Sequence, residues 1–89
     1  MFRFYTKPGE TKNRVSIVGE HSEGMLKIAV ARCSEKDQFF KKKGRAIAEK
    51  RLSENKLFKS FVMDNCDLKT FVYIAKAVAA EVEKTKVIY

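Results

Sequence analysis

The sequence has no tryptophan, one proline, one histidine and two cysteines among its 89 residues. His21 stands alone, and Cys33 and Cys66 lie far apart, so no Cys-x-x-Cys or His-x-x-x-His spacing of a zinc site is present. Two cysteines are also too few for the disulfide framework of a small secreted domain. We therefore expect no bound metal, two buried thiols and a cytoplasmic location.

Signatures of catalysis and of membrane insertion are missing as well. No glycine-rich phosphate loop is present, no nucleophile motif surrounds either cysteine, and Asp64 and Asp67 are better explained as helix caps than as an acid–base pair. No apolar run approaches the roughly 20 residues that span a bilayer, and the N-terminus lacks the layout of a signal peptide. These absences predict a protein that is not an enzyme, needs no cofactor and has no membrane contact.

Acidic residues are scarce, with 11 Asp and Glu against 19 Lys and Arg, which gives a net charge of +8 and a pI near 9.7. Such an excess favours a polyanionic partner. The apolar fraction of 45%, with seven Phe, is sufficient for an ordinary core, and a chain of this length fits one domain over residues 1–89.

The first third of the chain alternates with the period of a β-strand. Residues 2–7, 14–18 and 25–33 are predicted strands, separated by a turn at Pro8-Gly9 and by a polar link at 19–24. Three consecutive strands with short links form an antiparallel meander. We expect one face of this sheet to be buried and the other to meet solvent.

The remainder of the chain is predicted to be mainly helical. Ser34 to Asp37 resembles a capping box, and a helix is predicted from there to Ser53. Residues 57–63 fit either a fourth strand, which we favour, or a helical turn. Residues 68–86 have apolar positions three and four apart, which predicts an amphipathic helix, and residues 87–89 fit a further edge strand. The predicted fold class is α+β, an antiparallel three- to four-stranded meander sheet with two helices packed on one face.

The best candidate for a functional surface is a basic cluster on the first predicted helix. It comprises Lys41, Lys42, Lys43, Arg45, Lys50 and Arg51, opposed within that segment only by Glu49. Such a helix suits a phosphate backbone, whose charges are closely spaced and release counterions when neutralised. The alternatives are a solvated helix face and a contact with an acidic protein.

A second candidate surface is the outward face of the meander. It would present Arg3, Tyr5, Lys7, Arg14 and Lys27, a combination of cations and one aromatic ring that suits single-stranded nucleic acid. An ordinary solvated face is the alternative, because Tyr5 would be the only stacking ring. Tyr73 on the last helix is interpreted as a tyrosine at the edge of the core, and His21 as an exposed turn residue.

Residues 29–52 show a distinctive order of residues, AVARCSEKDQFFKKKGRAIAEKRL. A strand ends in Arg32-Cys33-Ser34, Lys36-Asp37 and an aromatic residue follow, and a basic run leads into Gly44-Arg45. This segment resembles small, mostly uncharacterised proteins of tailed bacteriophages. The resemblance implies a phage-encoded factor in a bacterial cytoplasm and implies no role for any residue.

The sequence predicts a small basic binding protein that contacts nucleic acid or another phosphate-rich polyanion through the Lys/Arg-rich helix. The alternative hypothesis is an inhibitor, directed against a host or defence factor, that docks on an acidic protein surface or sequesters an anionic nucleotide signal. The broad apolar face of the last helix leaves a homo-oligomer open under either hypothesis.

Overall fold

The computed structural model describes residues 1–7, 14–32 and 41–84, and of Lys41 only the backbone. Its elements are β1 (Phe2–Tyr5), β2 (Val15–Ser22), β3 (Met25–Arg32), α1 (Lys41–Ser53), β4 (Lys59–Val62) and α2 (Leu68–Lys84). The four strands form one sheet in the order β1-β2-β3-β4, and all neighbouring pairs are antiparallel. The predicted α+β fold with a meander sheet and two helices is confirmed.

A tight hairpin joins β2 to β3. The two strands pair from Val15–Arg32 to Ser22–Met25, so only Glu23 and Gly24 lie between them. Both have positive φ, 51° and 73°, which is typical of the type I′ turn that matches the twist of a hairpin. The predicted link at 19–24 is therefore too long, because residues 19–22 continue the strand.

The sheet has a helix on each face. Side chains alternate between the two faces of a strand, and so neighbouring residues enter different cores. The first core contains Val15, Ile17, Leu26, Ile28 and Val30 of the strands with Phe71, Ala75, Val78, Ala79 and Val82 of α2. The second contains Val18, Ala29 and Ala31 of the strands with Ala48 and Leu52 of α1.

The prediction that both helices pack on one face of the sheet is therefore wrong. The alternation in β3 places Ala29 and Ala31 on the same face as Lys27, so the sequence assigned that face to solvent. In the structure these alanines and Val18 are buried beneath α1. Small side chains give a weak amphipathic pattern, yet they allow a helix to approach a sheet closely, and that is how α1 covers the second face.

Gly19 allows α2 to approach the other face. A Cβ atom added at Gly19 would lie 2.5 Å from Cε1 of the Phe71 ring, which is fully buried. The ring of Phe71 also stacks on Phe2 of β1, with centroids 5.1 Å apart. The absence of a side chain at Gly19 therefore makes room for the largest buried side chain of α2.

We expect Gly19→Ala to lower the free energy of unfolding by about 1–3 kcal/mol, because overpacking forces the Phe71 ring or the backbone to move. Urea unfolding followed by circular dichroism measures this loss. The same substitution in a Phe71→Leu background should cost less, since the smaller side chain can yield. Equal losses in the two backgrounds would show that the added methyl group does not meet the ring.

Helix α1 ends in a Schellman motif. Asn55 has a φ of 58°, its N–H donates to the Leu52 carbonyl at 3.1 Å, and the Lys56 N–H donates to the Arg51 carbonyl at 2.8 Å. The chain then enters β4, which pairs with residues 25–28 of β3. The favoured interpretation of residues 57–63 as a strand is confirmed for residues 59–62.

Asp67 caps α2, as the sequence predicted. Its Oδ1 accepts a hydrogen bond from the Thr70 N–H at 2.8 Å. Hydrogen bonds from Thr70, first from its side chain and then from its backbone, lower the pKa of Asp67. The apolar side of α2 packs on the sheet of the same chain through its buried residues, whereas Leu68 at the start of the helix remains 59% exposed.

These predicted features lie outside the described residues: the turn at Pro8-Gly9, the buried thiol of Cys33, the capping box at Ser34 to Asp37, the end of the predicted last helix at residues 85–86 and the edge strand at residues 87–89. Within the ranges that the structure describes, neither helix is long and apolar enough to cross a bilayer.

Candidate functional site

The outer face of α1 presents three exposed lysines. Ala48 and Leu52 fix the inner side of the helix on the sheet. At about 100° per residue, Lys43 and Lys50 then lie on the opposite side with Lys42 on the flank beside them, and all three are exposed. Their ammonium groups form no ion pair with any other described residue. We call Lys42, Lys43 and Lys50 the α1 lysine face.

The other members of the predicted basic cluster are placed differently. The Lys41 side chain lies outside the described part, and Arg45 is half-buried. Arg51 turns toward the sheet, where its Nη1 donates to the Val30 carbonyl at 2.7 Å. β4 pairs only with residues 25–28 of β3, so Val30 lies beyond the end of that ladder and its carbonyl needs another donor. Arg51 thus joins α1 to the edge of β3.

Glu49 does not neutralise the α1 lysine face. Its Oε1 accepts a hydrogen bond from Nε of Arg3 at 2.9 Å, across the gap between α1 and β1. Both side chains remain partly exposed, so this pair contributes less than about 1 kcal/mol to stability. The charges of Glu49 and Arg3 neutralise each other at a position next to the α1 lysine face. The three lysines of that face therefore keep their charge uncompensated by Glu49.

The second predicted surface is not an open cationic sheet face. Arg3 pairs with Val18 and Tyr5 with Ser16, so both lie on the face that α1 covers. Nε of Arg14 donates to the Thr6 carbonyl at 2.6 Å. The two lysines of this set are separated, with Lys7 exposed beyond β1 and Lys27 half-buried in a groove beside Glu20 and Glu49.

A small polar pocket beside the start of α2 contains the histidine and one cysteine. It is lined by His21, Asn65, Cys66, Asp67 and Thr70. His21 lies in β2 rather than in a turn, and its Nε2 donates to the Met63 carbonyl at 2.8 Å. Burial and then the charge of Asp67 raise the pKa of the Cys66 thiol. A raised pKa keeps the thiol protonated, which is the opposite of what a nucleophilic cysteine requires.

The described part of the chain brings together no group of three or more His, Cys, Asp or Glu side chains that could hold a metal ion. The Cys66 thiol donates a hydrogen bond to the Asp67 backbone carbonyl, with 3.6 Å between sulfur and oxygen.

Tyr73 is the exposed feature that the sequence misassigned. It is 79% exposed, on the outer face of α2, and does not lie at the edge of the core. Lys69 and Lys76, four residues before and three after, are its neighbours on the same helix surface. Helical spacing places Tyr73 and these lysines together on the side of α2 that faces away from the sheet.

Comparisons of the chain with protein-family models, with curated proteins and with solved structures found no match.

Proposed function

We propose that this chain is a non-enzymatic binding protein that contacts nucleic acid, or another phosphate-rich polyanion, through the α1 lysine face. The supporting observation is that the two sides of α1 have different surroundings. One side of the helix fastens to the sheet through Ala48, Leu52 and Arg51, while the outer side presents three exposed ammonium groups without a described counter-charge.

The geometry of the face suits a phosphate backbone. Lys43 and Lys50 are seven residues apart, which is two turns or about 10 Å along the helix. Lys42, which precedes Lys43, adds a third ammonium group on one flank of the face. Duplex DNA carries one charge per about 1.7 Å of its axis, so several phosphates lie within reach of such a face. Binding would be driven by the release of condensed counterions.

Lysines that contact phosphates position a protein without distinguishing bases. We therefore expect little sequence preference and an affinity that falls steeply with salt. The phage origin implied by residues 29–52 belongs to the same proposal, and it would place the contact in a bacterial cytoplasm. The raised pKa of Cys66 and the engaged Nε2 of His21 support a binding role over nucleophilic catalysis.

The test is salt-titrated binding of labelled duplex DNA by the wild-type chain and by the triple variant Lys42→Gln, Lys43→Gln, Lys50→Gln. Removing three phosphate contacts should reduce the slope of log K against log[salt] by about 2.7. Glutamine is nearly as good a helix former as lysine and the three positions are exposed, so the fold should persist.

The control changes three exposed lysines outside the α1 lysine face, namely Lys56→Gln, Lys59→Gln and Lys84→Gln, with the same loss of net charge. Its salt slope should fall much less than that of the α1 variant. Equal slopes in the two triple variants would mean that net charge alone governs binding. A slope unchanged from wild type in the α1 variant would remove this helix from the contact.

The same three lysines would also suit an acidic protein surface, and an affinity capture distinguishes the two partner classes. The chain is used as bait in bacterial lysate with and without nuclease. Captured material that disappears with nuclease supports nucleic acid. A defined protein that remains, and that the triple variant fails to capture, would replace nucleic acid with an acidic protein partner.

A further inference from the structure

The outer face of α2 presents an aromatic ring in solvent. Phe71 and Ala75 face the sheet, and Tyr73, between them, is rotated by about 200° from each along the helix. Its 79% exposure leaves the ring accessible. Ala77 and Ala80 follow on the same side of the helix, are exposed, and have only a methyl group each. A flat ligand therefore meets no large side chain beyond the ring.

Two lysines flank this ring without a nearby carboxylate on the helix. Lys69 and Lys76 are exposed and form no ion pair with the rest of the described chain. The first carboxylate within α2 is Glu81, and it accepts a hydrogen bond from Nζ of Lys59 at 2.9 Å. The carboxylate of Asp67, the capping residue before the helix, has its pKa lowered mainly by hydrogen bonds from Thr70 and in smaller part by the charge of Lys69. The first three turns of α2 are therefore cationic around Tyr73.

We propose that this surface, formed by Lys69, Tyr73 and Lys76, binds single-stranded nucleic acid, with a base stacked on the Tyr73 ring and phosphates at the two lysines. An aromatic ring accepts the π-face of any unpaired base, and neighbouring cations hold the backbone. A base within a duplex is already stacked on its neighbours, so the ring selects single strands. The charges of the α1 lysine face make no such distinction.

The inference rests on the proposed function in taking nucleic acid as the polyanion, but it uses a separate surface. α1 and α2 cover opposite faces of the sheet, so the two surfaces share no residue. Each can therefore be removed without changing the other.

A tryptophan introduced by Tyr73→Trp reports binding at the site itself. The chain has no tryptophan, so the indole emission of this variant comes from position 73 alone. We expect the emission to be quenched by a single-stranded oligonucleotide of about 12 nucleotides and to change little with a duplex of the same length. Leu68→Trp, on the same helix but about 140° around it, is the control and should not be quenched.

Affinity measurements complete the test. Tyr73→Ala should weaken single-strand binding by about 5- to 150-fold and leave duplex binding unchanged, whereas Tyr73→Phe should bind like wild type. Equal losses for single strands and duplex, or equal effects of Tyr73→Ala and Tyr73→Phe, would overturn stacking as the mode of recognition.

The two proposals fail in different ways. If the emission of Tyr73→Trp stays constant while duplex binding still depends on the α1 lysine face, the α2 surface is refuted and the proposed function stands. If that emission is quenched while the α1 triple variant binds like wild type, the α2 surface stands and α1 is not the contact. If neither form of nucleic acid binds at low salt, both proposals are overturned.

Discussion

Phe71→Ala should lower the free energy of unfolding by about 3–5 kcal/mol, the typical cost of emptying the space of a buried aromatic ring. Phe71 is fully buried, lies over Gly19 and stacks on Phe2. Because a whole domain is stable by only about 5–15 kcal/mol, the variant should be close to unfolding at physiological temperature. Urea titration in the cold measures the loss.

Tyr73→Ala is the matched control for this prediction. It removes an aromatic ring from the same helix two residues later, where 79% of the side chain is exposed. We expect a change within about 0.5 kcal/mol, as is usual for surface positions. Similar losses at positions 71 and 73 would show that α2 does not present one buried and one exposed side.

Arg51→Met should lower the free energy of unfolding by about 1–3 kcal/mol and leave the salt dependence of nucleic-acid binding unchanged. The guanidinium donates to the Val30 carbonyl at the edge of β3, and removing it leaves that carbonyl without its donor. Methionine keeps the helix propensity and much of the length of the side chain. Denaturant unfolding and salt-titrated binding, made on the same preparations, separate the two effects.

The neighbouring residue provides the control. Lys50→Met, on the α1 lysine face, should retain the stability of wild type and reduce the salt slope by about 0.9. If Arg51→Met instead kept full stability and reduced the slope by the same amount, Arg51 would belong to the binding surface, as the sequence had suggested.

The predictions that depended on local patterns were the successful ones. Alternation identified β1 and β3, a short β-branched run identified β2, and the spacing of apolar residues identified α2 with its cap at Asp67. The extent of β2 was underestimated because glycine weakens a strand pattern, and here Gly19 is required by the ring that packs over it.

The face of the sheet on which α1 lies could not be predicted in the same way. Val18, Ala29 and Ala31 form a small apolar surface, and nothing in the sequence indicates that Ala48 and Leu52 will cover it. Such a pairing depends on a contact between distant segments. Once α1 occupies that face, Arg3 and Tyr5 no longer form an open platform, and Arg3 pairs with Glu49.

By itself, the sequence determined the net charge, the alternating strands, the amphipathic α2 and the concentration of cations after position 40. Only the tertiary structure decided which cations face solvent. Lys50 and Arg51 are adjacent and equally charged, yet one is exposed and the other donates to a carbonyl of β3. The reason is that a backbone carbonyl without a strand partner needs a hydrogen-bond donor, and the packing of α1 on the sheet brings Arg51 to the carbonyl of Val30. That packing depends on contacts between residues that are far apart in the sequence.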